Sequence, residues 1–185
     1  MEKKIKRYIE LLKAYNEKVN IYSQKAYDKL AFHIQDSINV AELIGNEKIR
    51  VLDVGSGAGF PAVIIAIVNN LNIVTAVEAR GRKCRFLALI KEELALDNFI
   101  IKNIDVNILT KTETKEVRFF TAKAFAKPDH ALKVIQKIAP EEAELIIPVS
   151  EKQQKEVLAR SGIKFEHMDK NGFSFCYLRK RFKDV

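Results

Sequence analysis

An α/β fold, with a mostly parallel sheet opened by helices and closed by an antiparallel hairpin, is what this 185-residue chain predicts. Three observations predict it. From Arg50 onward, short β-rich runs alternate with helical patterns, as in a parallel sheet covered by helices on both faces. The first run, Val51-Leu52-Asp53-Val54, is almost continuously apolar, as a strand buried on both faces requires. Near the end, Asn171-Gly172 separates two strand-like runs, a strong hairpin signal.

Residues 1–48 read as a helical preface to an α/β core over 49–185, the whole forming one domain. Ile5, Tyr8, Ile9, Leu12 and Val19 recur at helical spacing, with Lys and Glu between them. Asn16 to Ser23 interrupts that pattern as a polar connection. A second helix places Leu30, Ile34, Ile38 and Ala41 on one face and stops at Gly45. Strands are expected near 50–54, 73–78, 99–103, 117–122 and 143–148, and helices near 60–68, 82–96, 129–139 and 150–161. The hairpin pairs Lys164–Asp169 with Phe173–Arg179.

Hydrophobic residues make up 48% and charged residues 30%, ordinary for a globular protein. No apolar run approaches the ~20 residues of a membrane span, and the first residues lack a signal-peptide core, so the expected location is cytoplasmic and no membrane partner is expected. Cys84 and Cys176 are far apart and lack CxxC or Cys/His neighbours, which predicts reduced thiols and no metal site. The net charge of +8 and the isoelectric point near 9.4 make an anionic partner plausible.

The stretch Arg50 to Pro61 reads as a buried strand, a glycine turn and a helix start. Gly55, Gly57 and Gly59 let the backbone turn sharply and approach a ligand, Pro61 suits a first helical turn, and free N–H groups are expected to face the ligand. The spacing, from Asp53, is D-x-G-x-G-x-G, with Phe60 where a dinucleotide fingerprint needs its third glycine. That pattern resembles motif I of class I S-adenosylmethionine-dependent methyltransferases, which implies a Rossmann-like fold and S-adenosylmethionine as cofactor. Glu78, closing the second strand about twenty residues past the glycines, is placed to accept from ribose hydroxyls.

Other candidates cluster around the same edge. Asp105, Val106 and Asn107 follow the third strand, where a carboxylate or amide and a backbone N–H can recognise adenine, or where a plain turn lies. Lys123 ends the fourth strand, beside the pocket or in a salt bridge to Glu78 or Asp53. His33 and Asp36 share a helix face, either as a surface pair or directed at the pocket. Arg80, Arg82, Lys83 and Arg85 put four cations into six positions at a helix start, against the macrodipole. Either RNA phosphate or nearby carboxylates compensate them, unless the run is a solvated face. Arg179-Lys180-Arg181 and Lys183, with Tyr177 and Phe182 interleaved, form a weaker second patch.

Read in order, Tyr15-Asn16-Glu17-Lys18-Val19-Asn20-Ile21, His33-Ile34-Gln35-Asp36-Ser37-Ile38, Leu52 to Pro61, Gly81 to Leu87 and Ala122-Lys123-Ala124-Phe125-Ala126 are similar to successive signatures of one family. That family is the bacterial 16S rRNA guanine-N7 methyltransferases, RsmG, also called glucose-inhibited division protein B. The resemblance covers about residues 8–135. It implies methylation of one guanine in the 530 loop, with 16S rRNA or the small ribosomal subunit as partner to a monomeric enzyme. It places cofactor contacts on Gly55, Phe60, Val106, Asn107 and Lys123, with Glu78 at the ribose. The chain departs from the family where Tyr15 replaces tryptophan, Ala62 glycine, Asp105-Val106-Asn107 arginine-alanine-glutamate, Lys123 arginine, and Pro148-Val149-Ser150 a lysine-glycine turn.

Guanine N7 carries an in-plane lone pair and no proton, so its methylation needs alignment and a dry pocket rather than a general base. No acid or base is therefore assigned; His33, Asp36 and Lys123 are positioning candidates. The main alternative is a non-catalytic RNA-binding protein on the same fold, and the altered Asp105-Val106-Asn107 segment is its best argument. An NAD(P)-dependent oxidoreductase is disfavoured by Phe60, and a small-molecule methyltransferase by the basic runs.

Overall fold

The computed structural model of the chain describes residues 1–157 and 163–182. Two helices lead: α1 (Glu2–Lys18) and, after a 3-10 turn at Gln24–Lys29, α2 (Leu30–Ile44). The sheet follows as β1 (Arg50–Val54), β2 (Ile73–Val77), β3 (Phe99–Lys102), β4 (Val117–Thr121) and β5 (Glu144–Pro148). Between them lie α3 (Ala62–Val68), α4 (Gly81–Glu93), the short α5 (Lys111–Thr114) and α6 (Pro128–Ile138). After α7 (Glu151–Val157), β6 (Ile163–Lys170) and β7 (Phe173–Arg181) form the hairpin. The expected continuation of that last helix to 161 lies outside the described residues.

The strand order is β3-β2-β1-β4-β5-β7-β6. β1 is parallel to β2 and β4, and β4 to β5, whereas β7 runs antiparallel to both β5 and β6. The hairpin therefore enters with its second strand inside and β6 at the rim. Chain order reverses between β1 and β4, the switch point at whose carboxyl edge open α/β sheets bind ligands. Two apolar layers cover the sheet. α1 to α4 pack with Tyr8, Ile64, Ile65, Phe86 and Phe99 on one face, and α6 packs with Phe120, Ile135 and Leu145 on the other.

Three details of the helical preface differ from the expectation. Asn16 is helical and 6% exposed; its amide donates to Tyr22 O and to the Tyr27 hydroxyl, and its carbonyl accepts from Ile21 N and Tyr22 N. One buried side chain thus supplies the hydrogen bonds that the following turn cannot make for itself. Val19 caps α1 rather than continuing it. On α2, Leu30 and Ala41 are buried as expected, but Ile34 and Ile38 are only half-buried, in a groove shared with Ile5 and Ile9 of α1. The buried side of α2 instead carries Asp36, Ser37 and Asn39. Polar groups buried on a helix leave no trace in apolar periodicity.

Candidate functional site

The loops after β1, β2, β3 and β4 meet at the carboxyl edge. β1 ends at Val54, and Gly55, Gly57 and Gly59 all take positive φ values, 69°, 59° and 107°. The bareness of each serves a different purpose. A Cβ on Gly55 would come within 2.5 Å of the Phe125 ring, and one on Gly59 within 2.6 Å of Val63 and 3.2 Å of the Tyr8 hydroxyl. Gly57 alone of the three meets no close clash: a Cβ there would touch Lys83 Nζ at 3.6 Å and Gly55 O at 3.7 Å, ordinary contact distances. Gly55 and Gly59 therefore admit the packing that shapes the turn, while Gly57 leaves its backbone bare beside Lys83.

The expectation of free N–H groups around the turn is corrected. Gly55 N and Ser56 N donate to Val77 O, Gly59 N donates to Ser56 O, and Gly57 N donates to Glu78 Oε2 at 2.9 Å. Four donors are spent on holding the turn, so at these positions it offers shape rather than hydrogen bonds. Pro61 sits at the N-cap of α3, one residue before the first turn.

Glu78 is 6% exposed and accepts from Gly57 N and, at 2.8 Å, from Arg80 N. A carboxylate has about four acceptor positions, so two remain for a diol. Asn103, not singled out in the sequence, donates to the carbonyls of Glu78 and Ala79 and ties the loop after β3 to this one. Its place just past a strand at the carboxyl edge was the available signal. Asp105 is exposed and caps the 3-10 turn Val106–Ile108, accepting from Asn107 N at 2.9 Å and Asn107 Nδ2 at 2.8 Å. Val106 is buried and Asn107 exposed.

Asp53 lies fully buried beneath the turn, in register with Ala76 on β2 and Thr121 on β4. Thr121 Oγ1 donates to its Oδ1 at 2.6 Å, whereas its Oδ2 has no partner among the described residues. Burial pushes this carboxyl up to about 7 against the pull of the Thr121 and Ser56 hydroxyls. An orphaned carboxylate oxygen facing the switch point suits a ligand with a cationic group.

Lys123 pairs with neither Glu78 nor Asp53. Its Nζ lies 2.5 Å from Asp36 Oδ2, 3.4 Å from His33 O and 5.8 Å from the centre of the Phe60 ring. Burial pulls its ammonium down while the Asp36 carboxylate pulls it back up. His33 and Asp36 do not bond through their side chains; the His33 ring packs against Tyr22, Phe32 and Phe60, and its Nδ1 has no partner among the described residues. Burial, aided by the Lys123 charge, lowers His33 to about 4, so the ring is neutral near pH 7. Phe60, Tyr22 and His33 form one aromatic wall, of which Tyr22 went unnoticed in the sequence because a lone tyrosine in a turn carries no pattern.

The basic candidates separate. Arg80, Arg82 and Arg85 are exposed, Lys83 is half-buried against the glycine turn, and α4 carries no acidic residue in its first turn. Among the described residues none of the four makes an ion pair. The second patch is different: Arg179 is paired with Glu144 and Glu166, and Arg181 with Glu142. Tyr177 and Phe182 are buried, so no aromatic surface is interleaved there, and Lys183 lies outside the described residues. Strand alternation and cross-strand carboxylates dissolve a patch that looks continuous in sequence.

Among the described residues no group of His, Cys, Asp and Glu could hold a metal ion, and no helix is long and apolar enough to cross a membrane.

Residues 1–179 match the family model for GidB, rRNA small subunit methyltransferase G. The chain is 30% identical over 161 residues to ribosomal RNA small subunit methyltransferase G of Ruthia magnifica, covering 84% of this chain and 75% of that protein. It is 34% identical over 125 residues to the Borrelia turicatae protein of the same name, covering 66% and 58%. For the Pseudomonas putida GB-1 protein the values are 38% over 99 residues, 53% and 46%, so the matched stretch spans only about half of that relative. Among solved structures, a SAM-dependent methyltransferase from Aquifex aeolicus superposes with TM-score 0.61 at 20% identity, covering 80% of this chain and 90% of that one. An O-methyltransferase from Thermotoga maritima gives TM-score 0.60 at 13% identity, covering 82% and 66%. These likenesses establish the fold as that of S-adenosylmethionine-dependent methyltransferases.

Proposed function

The chain belongs to the rRNA small subunit methyltransferase G family, and from that premise we propose that it transfers a methyl group from S-adenosylmethionine to N7 of a guanine in the 530 loop of 16S rRNA. The observation that carries the RNA half is the run Arg80, Arg82 and Arg85, exposed and, among the described residues, without ion pairs just beyond Glu78. Phosphates at the mouth of the cleft would balance cations that oppose the dipole of α4. The partner is 16S rRNA or the small ribosomal subunit, met by a cytoplasmic monomer.

The carboxyl edge fits the cofactor. When bound, S-adenosylmethionine supplies a methyl group made electrophilic by its sulfonium centre. Asp53, raised to about 7 by burial and with one oxygen unpartnered among the described residues, ionises as a cationic ligand arrives, and Gly57 provides bare backbone. Glu78 accepts from the ribose diol with its remaining lone pairs. Asp105, Val106 and Asn107 border the adenine, with the free oxygen of Asp105 as acceptor. Gly55, Gly59 and Phe60 shape the floor. Lys83, which leans over Gly57, serves the cleft mouth, while Arg80, Arg82 and Arg85 hold RNA backbone. Guanine N7 has no proton to lose, so no base is needed. His33 stays neutral, and with Phe60, Tyr22 and the Asp36-paired Lys123 it orients the base and excludes water.

The test is to map N7-methylguanosine in 16S rRNA from a bacterial strain lacking its own enzyme, with and without this protein. A single new N7-methylguanosine in the 530 loop is expected. No modification, from a protein that binds both S-adenosylmethionine and small-subunit RNA, would establish the non-catalytic alternative; methylation at another site or atom would correct the target.

A further inference from the structure

One contact at the carboxyl edge comes from the far end of the chain. Tyr177, on β7, is fully buried and donates its hydroxyl to Asp36 Oδ1 at 3.0 Å. The other oxygen of that carboxylate holds Lys123 Nζ at 2.5 Å, and this ammonium stands beside the Phe60 ring. From this chain of contacts we infer that Tyr177 is a positioning residue, which fixes the Lys123 ammonium on the wall of the cleft through Asp36.

The physical argument concerns degrees of freedom. A lysine has a flexible four-carbon stem and a carboxylate rotates broadly about its last torsion, so an isolated pair would not define one place for the ammonium. A second donor on the opposite oxygen fixes the plane of the carboxylate, and with it the direction in which Oδ2 points. Tyr177 suits that task because its ring is stacked with Phe175, centroids 6.4 Å apart, and its hydroxyl has little choice of position. The relay joins β7, α2 and the loop after β4, three elements far apart in sequence. Asp36 is 2% exposed, so water cannot readily replace the tyrosine hydroxyl.

Tyr177→Phe keeps the ring and removes only the hydroxyl. The first readout needs no methyl transfer: proton exchange of the Lys123 ammonium, followed by NMR in lysine-labelled protein. Tyr177→Phe should speed that exchange several-fold, and in an Asp36→Asn background it should add nothing, since the pair it steadies is already broken. The second readout rests on the proposed methyl transfer. Single-turnover methylation of small-subunit rRNA should slow on the order of tenfold in Tyr177→Phe, with no further loss when Lys123 is already Met. A merely structural hydroxyl would cost the same in either background. Unchanged ammonium exchange in Tyr177→Phe, or additive losses in the double variant, would overturn the inference. A wild-type protein that methylates no rRNA would count against the proposed function, while the exchange measurement would still decide the relay.

Discussion

The two ends of the sheet solve the same problem in opposite ways. At the amino edge, the polar groups are neutral amides, two buried and one half-buried, that donate mainly to backbone carbonyls. Asn69 Nδ2 donates to Ala41 O, Gly45 O and Asn72 Oδ1; Asn72 Nδ2 donates to Gly45 O and Glu47 O; Asn98 Nδ2 reaches the carbonyls of Ala66, Asn69 and Asn72. These three side chains fasten α2, α3 and the starts of β1, β2 and β3 together. At the carboxyl edge several buried groups are charged or unmatched: among the described residues Asp53 Oδ2 and His33 Nδ1 have no partner, and the Lys123–Asp36 pair lies almost out of water. One edge is finished as structure, whereas the other holds interactions in reserve for a ligand.

The sharpest way to break that contrast is to remove one charge. Asp36→Ala leaves Lys123 without its carboxylate and the Tyr177 hydroxyl with only the more distant residue-36 backbone carbonyl, 3.4 Å away, as acceptor, and should cost about 3–5 kcal/mol in denaturant unfolding. Asn69→Ala strips donors from buried carbonyls without stranding a charge, and should cost less, about 2 kcal/mol. If the asparagine variant proved the more damaging, the charged edge would not be the more precarious of the two.

The pH dependence of stability sharpens the comparison, because only the carboxyl edge should contribute to it. Asp53 rises from its ordinary 3.8 to about 7 in the folded chain. Between those values the folded state holds a proton that the unfolded state has released. Its contribution to stability therefore falls as pH rises from about 4 to about 7, by up to about 1.4 kcal/mol per pH unit, and is level on either side. His33, lowered from 6.5 to about 4, contributes the opposite slope over most of that window, because there the unfolded state holds a proton that the folded state has released. In cofactor-free protein, Asp53→Asn should therefore make thermal stability rise with pH between about 4 and about 6.5 relative to the wild type; an unaltered profile would mean that the carboxyl titrates normally.

The smallest effect on stability should come from the exposed cations. Changing Arg80 and Arg82 together to Ala should leave the melting temperature level or slightly raised, since two charges opposing the dipole of α4 are gone. Small-subunit RNA should nevertheless bind more weakly and with a shallower salt dependence. Earlier melting together with the wild-type salt slope would make the cluster structural.

Much of the fold could be read directly. Strand and helix alternation placed each central element within a few residues, because β1, β4 and β5 are buried on both faces and their apolar runs are unmistakable. The glycine turn and Glu78 were legible for a related reason: both lie within one local βαβ unit, where spacing along the chain is spacing in space. The site was less legible where its parts come from distant segments. Lys123 could be placed at the edge, but its partner could not be chosen among Asp36, Asp53 and Glu78 by counting residues.

By itself, then, the order of residues determined the sheet, the closing hairpin, the bare backbone at Gly57 and the acidic terminus of β2, since each depends on local conformation or on apolar pattern. Tertiary structure alone decided how the polar groups are paired. It turned Gly55 and Gly59 inward toward Phe125, Val63 and Tyr8, neutralised Arg179 and Arg181, left Arg80, Arg82 and Arg85 bare, and brought Tyr177 to Asp36 across 141 positions of chain. The reason is physical: an apolar run reports its burial through periodicity, whereas a hydrogen bond or an ion pair acts over about 3 Å and exists only once the packing of separate elements has set that distance.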